Sequence, residues 1–166
     1  MSKAFTKEDE AEAPLPVPRR AALPSGHINY VTAAGLQALR DEHAALVAAR
    51  AAAAKDTATL ARVHAQLVEL EARIASATVV APTHASEVRF GTFVVVQNQQ
   101  GARRMYQVVG VDEADAQAGR LSFLSPLARA LIGHAAGDVV TFTTPHGDEE
   151  VDILSVALTE NSAESL

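Results

Sequence analysis

Between Thr32 and Thr78 the chain carries two successive blocks in which apolar residues recur at alternating spacings of three and four. The first runs through Leu36, Leu39, His43, Leu46, Arg50 and Ala53, the second through Leu60, Val63, Leu67, Leu70, Ile74 and Ala77. This is the seam pattern of a coiled coil. The blocks have equal length and mirror each other about a point between Asp56 and Thr57. The polar triplet Lys55-Asp56-Thr57 interrupts an alanine-rich middle there. The pattern therefore predicts an antiparallel helical hairpin over residues 28–80, with Thr32 capping the first helix and Asp56 or Thr57 capping the second. Each arm of about 22 residues would reach roughly 33 Å. His43 and Arg50 are its polar seam positions. His43 has no second ligand in its layer and reads as a histidine at a partly open layer, and Arg50 as a stem lying on Val63 with its head in water.

The flanking segments differ in kind. Residues 1–27 mix Lys3, Lys7, Glu8, Asp9, Glu10 and Glu12 with Pro14, Pro16, Pro18 and Pro24. They offer too little apolar surface to offset ordering and read as a disordered tail. After a linker at 81–86 the period changes to that of strands. Residues 88–97, 103–112, 120–124, 139–144 and 150–158 are the five predicted strands of a domain spanning 87–158. Gln99-Gln100-Gly101 and Pro145-His146-Gly147-Asp148 supply the turns. Ser125 and Pro126 open a short helix that ends at Gly133. Residues 159–166 read as a flexible C-terminus. The expected fold class is α+β, a hairpin followed by an antiparallel sheet with one short helix.

Charge and composition narrow the function. Residues 27–80 carry five acids and five bases, whereas residues 81–166 carry eleven acids against five bases. That balance argues against tight autonomous binding to nucleic acid, which needs a basic footprint, and favours a protein partner. There is no cysteine, no apolar leader and no membrane-length apolar run, so a cytoplasmic protein is expected. No glycine-rich phosphate loop, paired-histidine metal motif or nucleophile elbow is present. Asp148, Glu149, Glu150 and Asp152 read as a solvated strand edge rather than a metal cluster, because alternation sends neighbours to opposite faces. Phe90, Phe93, Tyr106, Phe123 and Phe142 read as core. No cofactor and no metal are expected.

The run Ser125-Pro126-Leu127-Ala128-Arg129-Ala130-Leu131-Ile132, followed by Gly137-Asp138, resembles the C-terminal signature of the Gre family of bacterial transcription elongation factors, GreA and GreB. Phe90-Gly91 and Val109-Gly110-Val111-Asp112-Glu113 are similar to the same family, nearer to GreB. Thr32, Gly35, Leu39 and Arg40 match the start of its hairpin, and Leu70 to Ile74 with Ser76-Ala77 match the close. The resemblance covers residues 28–158. It implies an FKBP-like C-terminal domain that docks on the rim of the RNA polymerase secondary channel, in the largest subunit. Leu124, Ser125, Pro126, Leu127 and Arg129 are the expected docking residues. It also implies a hairpin entering that channel, whose acidic tip helps hold a second Mg²⁺ for cleavage of backtracked transcript, a role that needs hard oxygen ligands.

At the tip the sequence departs from this pattern. The family's Asp-x-x-Glu-Asn motif has no counterpart, and between Ala51 and Val63 the sole acid is Asp56. The arms are shorter by roughly three heptads shared between them, about 15 Å of reach. Leu124 stands where relatives often carry Asp or Asn. The expectation is a monomeric Gre-like regulator that occupies the channel without stimulating cleavage, with Lys55, Asp56 and Thr57 at a blunt tip. A cleavage factor relying on Asp56, the weak catalytic candidate, and an FKBP-like interaction module are the alternatives.

Overall fold

The computed structural model describes residues 20–164. Most of the expected tail thus lies outside the described residues. Asn29–Val31 form β1, followed by helices α1 (Ala33–Ala52) and α2 (Thr57–Ser76) and then β2 (Ala77–Val79). Thr32 caps α1 by accepting from the Gly35 N–H at 3.0 Å. Asp56 caps α2, its Oδ1 accepting from Ala58 N and Thr59 N at 3.1 and 3.2 Å. Of the two candidate caps for α2, Asp56 is the one used, and Thr57 is already helical. The turn occupies residues 53–56, slightly ahead of the expected mirror point, closed by Asp56 N–H donating to the Ala53 carbonyl at 2.9 Å. Alanine has so little side chain that α1 can stop early at no packing cost. Each arm is 20 residues, about 30 Å.

The seam buries Leu39 on α1 and Val63, Leu67 and Leu70 on α2. Leu36, Leu46, Ile74 and Ala77 pack around Leu39, Leu70 and Val31 at the base. Toward the tip the packing thins, and Arg50 is exposed. His43 is half-buried and its Nε2 lies 3.1 Å from Glu71 Oε1. At the base β1 and β2 run parallel, Asn29 opposite Ala77 and Val31 opposite Val79, so the whole hairpin is the crossover between them.

The C-terminal sheet has the order β5-β4-β3-β7-β6, from β3 (Phe93–Asn98), β4 (Arg103–Val109), β5 (Arg120–Ser122), β6 (Val139–Thr144) and β7 (Gly147–Ala157). The first strand begins at Phe93 rather than at Val88 because Phe90-Gly91 form a turn, with Gly91 at φ +86°. The expectation of a wholly antiparallel sheet needs one correction: β5 runs parallel to β4. No tight-turn sequence joins them. A ten-residue connection does, opening with a 3₁₀ turn at Val111–Glu113 and returning through Gly119 at φ +73°. The remaining neighbours are antiparallel, with a bulge at Val95/Val96. Helix α3 (Pro126–Leu131) lays Ala128 and Leu131 on a core of Val88, Val94, Val96, Val108, Val140, Val151 and Ile153. A short α4 (Glu160–Glu164), in the stretch expected to be flexible, buries Ala163. No helix among the described residues is long and apolar enough to cross a membrane.

Candidate functional site

Three places carry the chemistry that could contact a partner: the tip, the edge opened by Ser125-Pro126, and the joint where the hairpin meets the sheet domain. At the tip Lys55, Asp56 and Thr57 are exposed. The Asp56 carboxylate is turned onto its own helix, accepting from Thr59 Oγ1 at 2.5 Å besides the two backbone N–H groups. The Thr59 hydroxyl and N–H, the Ala58 N–H and the Arg62 charge together hold its pKa below the usual carboxylate range, against a smaller desolvation effect. A carboxylate so engaged, with no second acid beside it, does not fit a Mg²⁺ ion, which wants several hard oxygens at near-octahedral geometry. Among the described residues no group of three histidine, aspartate or glutamate side chains is placed to hold a metal.

The Ser125-Pro126 edge is built by the cap of α3. Ser125 Oγ accepts from Ala128 N at 3.2 Å, and Pro126 takes the first helical position, where a missing N–H costs nothing. Leu124 is held by its N–H donating to Ser122 Oγ at 3.2 Å. Pro126, Arg129 and Ile132 are exposed, and Arg129 has no ion-pair partner among the described residues. Leu127 packs partly on the sheet core, so only part of it faces outward. Of the five residues expected to dock, Pro126 and Arg129 therefore offer the most surface, while Ser125 shapes the helix that presents them.

The joint is the part that sequence reasoning missed. Glu113, at the end of the 3₁₀ turn, accepts from Thr32 N at 3.0 Å and Gly110 N at 3.1 Å, and also from the Thr32 hydroxyl. One carboxylate thereby ties the first residue before α1 to the end of β4. Gly35 is small for this reason: a Cβ there would stand 2.0 Å from Glu113 Cδ. Gly110 also approaches the Tyr30 carbonyl closely, its oxygen 2.4 Å from where a Cβ would stand. The Asp112 side chain is 2% exposed and lies between Arg20 Nη1 at 3.1 Å and Arg73 Nε at 3.3 Å. Arg20 Nη2 also meets Glu42 on α1 at 2.5 Å. Burial works to lower the Arg20 pKa, but the carboxylates of Glu42 and Asp112 outweigh it and raise it. Tyr30, Phe90 and Phe123 complete the joint as three tilted or edge-on rings with centroids 5.7 to 5.8 Å apart. The acids of the strand edge are solvated, Asp148 and Glu149 accepting from the hydroxyls of Thr143 and Thr144. The signal for the joint was present as a glycine in the first helical turn and an acidic pair at a strand end. Nothing in a single sequence says that these segments meet.

Comparison with known proteins adds an independent line. The family described as "Transcription elongation factor, GreA/GreB, C-term" matches residues 82–158. Transcription elongation factor GreA of Pseudomonas aeruginosa is 43% identical over 98 residues, 57% of this chain and 62% of that protein. GreA of Acidiphilium cryptum is 41% identical over 97 residues, again 57% of this chain and 62% of the relative. The chain thus spans about three-fifths of the length of the curated relatives it matches. Among solved structures, GreA factor homolog 1 of Thermus thermophilus aligns at a TM-score of 0.39 and 23% identity, over 78% of this chain and 99% of that one.

Proposed function

We propose, on the premise that residues 82–158 form a C-terminal domain of the Gre family, that this protein is a regulator that binds RNA polymerase at its secondary channel and acts by occupancy, without stimulating transcript cleavage. In this reading Pro126, Arg129 and the outward part of Leu127 make the contact to the rim in the polymerase's largest subunit, with Leu124 and Ser125 shaping the edge. The observation that carries the proposal is the contrast between the two ends of the molecule. The docking edge keeps its capped Ser-Pro helix and an arginine with no ion-pair partner among the described residues. The tip has one acid, and that acid is bonded to the helix it caps. The protein acts in the cytoplasm as a monomer and needs no cofactor of its own. A GreB-like subtype rests on Phe90-Gly91 and Val109–Glu113 alone, since the relatives named above are GreA proteins.

The deciding experiment adds the purified chain to backtracked RNA polymerase complexes with Mg²⁺ and scores transcript cleavage alongside competition with a full-length Gre factor. Competition without cleavage is expected, and Arg129→Glu should weaken it. Cleavage that disappears in Asp56→Ala would establish the alternative of an active cleavage factor. Absence of both competition and cleavage would refute docking at the channel.

A further inference from the structure

The joint contains one partner that belongs to neither the hairpin nor the sheet. Arg20 lies nine residues before β1, and its guanidinium forks between two bodies, Nη2 on Glu42 of α1 and Nη1 on Asp112 after β4. The adjoining Ala21 carbonyl accepts from Arg73 Nη2 of α2 at 2.6 Å. A two-residue segment therefore bonds both arms of the hairpin and the C-terminal domain at once. Beneath it lies an open cavity of about 540 Å³, lined by Ala34, Gly35 and Ala38 of α1 and by residues 112–115, with Arg20 and Glu42 forming part of its wall.

We propose that Arg20 is a positioning residue, and that residues 20–21 are a strap fixing the angle at which the hairpin leaves the C-terminal domain. The leverage is large: with arms of about 30 Å, a rotation of about 10° at the joint carries the tip about 5 Å. Planar bidentate geometry is what lets one side chain span two carboxylates, and an arginine supplies it where a lysine would offer a single point charge. The strap is set by the chain preceding the hairpin, so the angle depends on residues 20–21 as well as on the two folded bodies.

The test uses the free chain of 166 residues, so its failure is separate from any failure of the polymerase reading. The chain has no cysteine, which permits spin labels at Lys55→Cys and Arg104→Cys, two exposed positions outside the joint. Pulsed dipolar spectroscopy should give one narrow tip-to-sheet distance distribution, and Arg20→Ala should about double its width while the far-ultraviolet circular dichroism is retained. An unchanged width in folded Arg20→Ala overturns the proposal. Should that variant fail to fold, Glu42→Ala removes only the exposed prong and leaves the Asp112–Arg73 pair in place. A width unchanged in Glu42→Ala then overturns the strap, and a broadened one supports it.

Discussion

Replacing Gly35 with alanine should destabilise this protein, although the same change inside an ordinary helix stabilises by about 1 kcal/mol. The added Cβ would stand 2.0 Å from Glu113 Cδ and 2.3 Å from Oε1, distances at which something must move. The helix backbone around residue 35 is fixed by the Thr32 cap, so Glu113 is the group that yields. Yielding costs it hydrogen bonds from Thr32 N, the Thr32 hydroxyl and Gly110 N. A bond to a charged group contributes about 1.5–3 kcal/mol, and the joint is only half-buried, so water replaces part of the loss. Losing two of the three then costs about 2–4 kcal/mol, and the helix-propensity gain reduces the net destabilisation to about 1–3 kcal/mol. Urea unfolding followed by circular dichroism measures it directly, with the double variant Gly35→Ala/Glu113→Ala as control. In the Glu113→Ala background the alanine at 35 should turn neutral or stabilising, a non-additivity expected of touching residues. A Gly35→Ala midpoint equal to or above that of the parent would refute the reasoning.

The remaining predictions concern other polar groups. Asp112→Asn should cost about 3–5 kcal/mol in the same urea assay, because it leaves Arg20 and Arg73 facing each other without their shared buried counter-charge; a loss under about 1 kcal/mol would mean that water screens the joint. Ser155 is 3% exposed and its hydroxyl has no hydrogen-bond partner among the described residues, so Ser155→Ala should leave stability unchanged or raise it by about 1 kcal/mol, and a marked fall in the thermal midpoint would point to a bond that the hydroxyl makes. Asp56 has a folded pKa below its unfolded value of about 3.9, so its contribution is complete above that pH and is lost as pH falls through the lower folded value. Helicity followed down to about pH 2 should therefore show an acid-side loss that Asp56→Asn, a good cap without a titrating charge, removes, and matching acid profiles for the two proteins would contradict it.

What could be read in the sequence was what depends on neighbours in the chain. The buried seam residues Leu39, Val63, Leu67 and Leu70, the Thr32 cap, the Asp56 cap and the Ser125-Pro126 helix start all follow from spacing and local chemistry, whereas Ala53, counted in the seam, falls in the turn. The Pro145-His146-Gly147 turn is legible for the same reason, with Gly147 at φ +122°. What escaped depends on segments far apart in sequence. β1 and β2 are three residues each and carry no alternation long enough to detect, and they pair only because the hairpin returns the chain to its starting point. The parallel β5 is hidden because a ten-residue connection does not announce its direction. At the candidate site the tip was legible because its chemistry is one isolated acid. The joint was not, because Arg20, Glu42, Arg73 and Asp112 are single charges that acquire a role only when four segments converge.

The parallel pairing of β1 with β2 separates the length of the hairpin from its attachment. The two strands are bonded side by side at the foot, and the Val80 N–H continues the ladder by donating to the Val31 carbonyl at 2.9 Å. Everything beyond this clasp is a loop from the sheet's point of view. Residues can be removed from or added to the distal arms, in matched steps of about one heptad per arm that keep the seam in phase, and neither the clasp nor the domain below it registers the change. Such a molecule is a mast on a fixed footing, whose height can be reset over generations without rebuilding the base.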